Sequence, residues 1–104
     1  MGMEQHVMDE RTLQAINDER DRQDVKWGEQ NHTPLMWLAI LMEEVGEVAQ
    51  CVVEARFNNT DKAIEYSELM DYELVQVAAV VIAWLECRRR EKGNGDEENA
   101  QGTK

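Results

Sequence analysis

The sequence predicts an all-α protein: a helical bundle of three main helices per chain, completed by oligomerisation. Three observations carry that expectation. Among 104 residues there are one proline and six glycines, and β-branched residues do not gather in short alternating runs. Apolar residues recur at three- and four-residue spacing over long segments. Finally, the stretch LVQVAAVVIAWL, from Leu74 to Leu85, is apolar almost all round. A helix of that kind cannot face water on any side. In a chain of three helices it calls for cover from another copy, hence a homodimer or a dimer of dimers.

The elements follow in order. Residues 1–8 read as a loose terminus, residues 9–92 as one helical domain and residues 93–104 as a disordered polar tail. The first helix starts after Asp9 and runs to about Lys26, with Leu13, Ile16 and Arg20 on one face. The loop WGEQNHT follows. Thr33 as N-cap and Pro34 at the first helical position open the second helix, which runs to about Phe57. Within it Leu38, Leu41, Val45, Val48, Val52 and Ala55 form a 3-4-3-4 seam suited to helix–helix contact. Asn58, Asn59 and Thr60 break the chain, with Thr60 a second N-cap candidate. The third helix spans Asp61 to about Lys92, with a break expected near Tyr66. Arg88, Arg89 and Arg90 suit its C-terminus, and Gly93 is the expected stop.

Composition excludes several classes. Hydrophobic residues make up 42% of the chain, enough for a core. No apolar run reaches the roughly 18 residues of a membrane span. The N-terminal MGMEQHVMDE is neither a secretory signal nor an Arg-rich transit peptide. Cys51 and Cys87 lie in apolar helical stretches and read as buried free thiols of a cytoplasmic protein. Twenty-two acidic against eleven basic residues leave a net charge of −11, which repels a nucleic-acid backbone. A phosphorylated small molecule remains accessible, because carboxylates can take it through divalent cations that reverse the local sign.

The carboxylates carry the sharpest signal. Glu43, Glu44 and Glu47, written EEVGE, share one surface of the second helix, and Glu54 continues it two turns on. Like charges at these spacings cost about 0.2–0.5 kcal/mol per pair on an exposed helix. At about 5 Å and an effective dielectric near 20 the repulsion grows to about 3 kcal/mol. No lysine flanks this face to pair with it. Gly46 sits mid-helix, which suggests close approach by another backbone or a ligand. Glu73 has Leu69, Met70, Gln76 and Val77 as helical neighbours, so its carboxylate is desolvated and needs a partner: Arg20 or Arg22 from the first helix, or a cation. Glu68 and Asp71 form a second candidate pair on a wetter face. Neither apolar helix contains a histidine, which favours a hard cation on oxygen ligands, Mg²⁺ or Mn²⁺, over a di-iron centre.

The loop before the second helix holds Lys26, Trp27, Gln30, Asn31 and His32, with Trp37 one turn into the helix. Aromatic and amide groups beside an acidic face can stack on and hydrogen-bond a base. Each tryptophan can equally pack the corner between the helices. Trp84, deep in the apolar helix, reads as core.

The blocks KWGEQNH, WLAILMEEVGEVAQ and ELVQVAAVVIAWLE, in that order over about Glu19 to Glu86, resemble the MazG-like all-α nucleoside triphosphate pyrophosphohydrolases, above all the short versions of phages and mobile elements. The resemblance implies hydrolysis of a nucleoside triphosphate, ribo or deoxy, to the monophosphate and pyrophosphate with Mg²⁺. The family pattern is EExxE on one helix and ExxD on the next. Glu44 and Glu47 match the metal ligands, Glu43 the water-orienting position and Glu73 the second-helix glutamate. Gln76 stands where the family has aspartate, a neutral amide that can ligate the metal through its oxygen without adding charge; Glu68 and Asp71 would supply a true ExxD slightly upstream. The resemblance further implies phosphate contacts, with Lys26 and Arg56 as candidates, and a base held among Trp27, Asn31, His32 and Trp37. The competing reading is a non-catalytic oligomeric helical interaction module whose acidic face meets a basic partner; Gln76 is the feature that favours it.

Overall fold

The computed structural model describes residues 5–57 and 63–101, with the backbone alone at 63–64 and 94–101. It consists of three helices, α1 (Glu10–Trp27), α2 (Pro34–Phe57) and α3 (Ala63–Gln101), and no strand is present among the described residues. Asp9 caps α1, its carboxylate accepting from the Thr12 N–H at 3.1 Å. Gly28 ends the helix with φ +73° while its N–H reaches the Asp24 carbonyl at 2.8 Å; a side chain there would be strained. Thr33 caps α2, its hydroxyl accepting from the Met36 N–H at 3.3 Å, and Pro34 follows as the first helical residue.

α3 differs from the expectation in two ways. It is continuous past Tyr66, and it runs through Gly93 as far as Gln101. The expected break at Asn58–Thr60 lies outside the described residues.

The core forms where α2 meets α3. Trp37, Val80, Ala83 and Cys87 are buried together, with Ile40, Leu41 and Trp84 packed around them. The Trp37 and Trp84 rings stack nearly parallel, 6.5 Å between centroids. Trp84 is therefore core, as its sequence position suggests. Both cysteines are buried free thiols. α1 lies against α3, with Ile16 buried. At that contact the Arg20 Nη2 donates to Glu86 at 3.0 Å and Nη1 reaches Asp24 at 3.2 Å.

The packing corrects half of the expected seam on α2: Leu41 packs against the core and Val48 and Ala55 are half-buried, as the seam predicts, but its other three members are not. The inward stripe is Trp37, Glu44 and Cys51 at seven-residue steps, and Leu38, Val45 and Val52 stand exposed one position further round. Both rows are regular, and the α3 crossing selects the one that begins at Trp37. α3 likewise buries Gln76, Ala79, Val80, Ala83 and Cys87, while Leu74, Val81 and Leu85 on its other side each keep nearly half their surface. At Gly46 an added methyl group would meet nothing within 4 Å among the described residues, so the close neighbour expected there is not supplied by the described part of this chain.

With no contact to lose and an ordinary helical backbone, Gly46→Ala should stabilise the chain by about 0.5–1 kcal/mol through helix propensity. Thermal or urea unfolding checks this. A loss of stability would instead place a second copy or another chain against that position.

Candidate metal centre

α2 and α3 bring three carboxylates to one point. One carboxylate oxygen each from Glu44, Glu47 and Glu73 lies within 4.8 Å of the others. Glu44 and Glu47 sit one turn apart on α2, and Glu73 faces them from α3 because the Trp37–Val80 packing fixes how the two helices cross. Glu44 is half-buried, Glu47 exposed, and the Oε2 atom of Glu73 is buried with no hydrogen-bond donor. The expected arginine partner does not reach it. Arg20 is engaged with Asp24 and Glu86, and Arg22 with Glu19.

Electrostatics follow from that crowding. Burial, then the neighbouring Glu47 and Glu44, push the Glu73 carboxyl up to about 7. Burial also raises Glu44, with Glu47, Glu43 and Glu19 adding to the shift. An orphaned buried oxygen beside two further carboxylates, with no basic residue paired to it among the described residues, suits a hard divalent cation on oxygen ligands.

Glu19 is the residue that sequence reasoning missed. Its carboxylate is buried on α1 and held by the Arg22 fork at 2.8 and 2.6 Å and by Gln23 Nε2 at 3.1 Å. The Arg22 guanidinium lowers its pKa against the opposing effect of burial, and the Gln76 amide helps while facing it too loosely to close a hydrogen bond. The signal was present in the sequence: Glu19 is three residues beyond Ile16 and four before Gln23, on the same inward stripe. Gln76 itself is buried one turn beyond Glu73, its Nε2 without a partner. Glu68 and Asp71, the alternative pair, are both exposed and stand apart from the three-carboxylate cluster.

Two clefts adjoin the cluster. The first, about 240 Å³, is lined by Gln23, Trp27, Gln30, His32, Trp37 and Glu44 among others. Its walls are aromatic and amide-bearing. The His32 ring meets Trp37 edge-on at 4.8 Å. Trp37 is 2% exposed, so it is a structural wall, while half-exposed Trp27 remains open to a ligand. The second cleft, about 410 Å³, is bounded by Glu47, Gln50, Cys51, Glu54, Tyr66 and Glu73. The carboxylates thus form the partition between the two. Of the other candidates, Glu43 is exposed beside Glu44, Lys26 lies over the Trp27 ring at 4.6 Å, Asn31 is tied to Glu29 and Arg90, and Arg56 is exposed near the end of α2. None of these four lines either cleft.

The raised Glu73 pKa makes a signed prediction. Unfolded, this carboxyl loses its proton near 4.5; folded, it keeps it to about 7. Between those values the folded state binds more protons, so metal-free stability falls as pH rises from about 5 to about 7. Glu44 contributes in the same direction. The lowered Glu19 acts oppositely, in a window below its ordinary 4.5. Melting temperatures of metal-free protein across that range should decline, and Glu73→Gln should flatten the slope. A rise with pH would contradict the burial of Glu73.

Comparison with protein families, with curated proteins and with solved structures finds no match to this chain.

Proposed function

We propose that this chain is a Mg²⁺-dependent nucleoside triphosphate pyrophosphohydrolase of the MazG-like type, cleaving a nucleoside or deoxynucleoside triphosphate to the monophosphate and pyrophosphate. The observation that supports it most is the convergence of Glu44, Glu47 and Glu73 from two helices on one point beside an aromatic cleft. A solvated acidic face accounts for EExxE alone. It does not account for a third carboxylate brought from another helix with a buried, donorless oxygen.

Glu44, Glu47 and Glu73 would hold Mg²⁺ or Mn²⁺, which offsets triphosphate charge and acidifies bound water. The chain's own groups do the rest. Trp27 and His32 border a space for a base, and the amides of Gln23 and Gln30 offer hydrogen bonds to its edge. Glu44 belongs to both the cleft and the cluster, so a nucleoside held by the aromatic walls extends its phosphates toward the carboxylates. Glu43, next in the chain to Glu44 and exposed, would accept the proton of the attacking water, the role the resemblance implies for it. Oxygen then adds to phosphorus as the bond to the pyrophosphate leaving group breaks. Lys26 and Arg56 supply positive charge at the periphery, with Lys26 held over Trp27.

The proposal includes a homodimer or a dimer of dimers. The exposed rows Leu38–Val45–Val52 on α2 and Leu74–Val81–Leu85 on α3 are the surfaces a second copy would cover. Light scattering should return at least twice the chain mass, and a monomer would refute this part.

Incubation with a panel of nucleoside triphosphates and Mg²⁺, followed by pyrophosphate detection, tests the activity. Glu44→Gln, Glu47→Gln and Glu73→Gln should each lower turnover by about 10²-fold or more while the helices stay folded. Glu68→Gln should leave it unchanged. No turnover with any nucleotide, together with no melting shift on adding Mg²⁺ or Mn²⁺, would favour the non-catalytic helical module.

A further inference from the structure

We infer that Arg90 is a positioning residue for the aromatic cleft, holding in place the loop that forms its rim; this rests on the cleft being the nucleotide site proposed above. The loop from Gly28 to Thr33 contains no helix of its own. Gln30 and His32 from this loop line the cleft. The loop is anchored from the far end of α3. Arg90 Nη2 donates to the Gln30 carbonyl at 3.0 Å and to Asn31 Oδ1 at 2.9 Å, and its Nε lies 3.5 Å from Glu29 Oε2. Asn31 Nδ2 closes the set by donating to the same Glu29 oxygen at 3.1 Å. One turn earlier on α3, the Cys87 thiol points to the His32 carbonyl at 4.0 Å.

One guanidinium therefore contacts three consecutive loop residues. What lies behind the loop makes that anchor necessary. A further cavity of about 240 Å³, lined by Arg20, Asp24, Glu29, Gln30, Glu86 and Arg90 among others, separates this stretch from the α1–α3 contact. That cavity is lined mainly by charged and amide side chains, so on this side the loop is held by polar contacts, while His32 packs on Trp37 on the other. A lysine cannot replace the fork, because a single ammonium does not span the Gln30, Asn31 and Glu29 positions together. Arg88 and Arg89, on the same helix and exposed, provide the control: removing either changes net charge equally and touches no loop contact.

The test uses the full chain with Arg90→Ala, Arg90→Lys and Arg89→Ala, each checked for helix content by circular dichroism. Amide exchange over residues 28–33 should speed up by about tenfold in Arg90→Ala, less in Arg90→Lys and not in Arg89→Ala. With whichever triphosphate the wild type hydrolyses, Arg90→Ala should raise KM by about tenfold with kcat within about threefold, because the loop binds and does not react. Arg90→Lys should fall between. Unchanged exchange in the loop, or a loss confined to kcat, would overturn the assignment. If the wild type splits no triphosphate, the proposed function fails on its own account, and the exchange comparison still decides whether Arg90 holds the loop.

Discussion

The packing of Trp37 against Val80, Ala83 and Cys87 is the constraint on which the rest depends, because it decides where every carboxylate ends up. Glu44 belongs to the same helical stripe as Trp37, one heptad further on, and Glu73 sits one heptad before Val80. Burying the tryptophan therefore forces the two acids toward each other, with Glu47 completing the group. Like charges within 4.8 Å of each other repel by about 3 kcal/mol or more at an effective dielectric near 20. Loss of a buried tryptophan side chain costs about 3–5 kcal/mol. The apolar contact and the carboxylate repulsion are thus of similar size, and the helices stay together because the repulsion can be relieved. In the metal-free chain the relief is a proton on Glu73, held up to about 7. A divalent cation would do the same by displacing that proton, which couples occupancy of the site to the stability of the α2–α3 contact.

Local signals were legible in the sequence and crossing geometry was not. Asp9, Thr33 and Pro34 announce helix starts because a cap works through hydrogen bonds within three residues. The EEVGE surface is visible for the same reason: helical spacing alone puts Glu44 beside Glu47. Glu73 stood out because its helical neighbours are apolar, so a desolvated acid could be inferred without knowing what faced it. The approach of Glu19, the role of Arg90 and the phase of the α2 stripe all depend on how one helix crosses another. Two equally regular rows run along α2, the outer one wholly apolar and the inner one carrying Glu44 between Trp37 and Cys51, so hydropathy within that segment does not point to the row α3 covers. Gly46 is a related case: a glycine in a helix interior raises the expectation of a close neighbour, and the described residues of this chain put none there.

The charges around the cluster are sorted by depth. The two arginines closest in sequence to the inward stripe of α1 are both engaged elsewhere, Arg22 neutralising Glu19 and Arg20 joining α1 to Glu86 of α3. The Arg20–Glu86 pair ties α1 to α3, the Arg22–Glu19 pair stays within α1, and neither lends a cation to Glu73. The result is a buried acid, Glu19, that is paired, and a cluster of three acids at the α2–α3 contact with no ion pair of its own among the described residues. An internal salt bridge to Glu73 would have left no reason to expect an external cation.

Gln76 then sets the character of the site. It is buried on the wall of the aromatic cleft, one turn beyond Glu73, with Glu19 facing it. A carboxylate at that position would lie close to Glu19 and on the same helical face as Glu73, and Arg22 already spends its fork on Glu19. The added charge would be desolvated with no cation of the chain to meet it, a cost of several kcal/mol. The amide avoids that cost and contributes an oxygen and a donor in place of a charge. Its presence leaves the negative charge between α2 and α3 on Glu44, Glu47 and Glu73, and puts a neutral amide rather than a fourth carboxylate on the cleft wall beside Trp37.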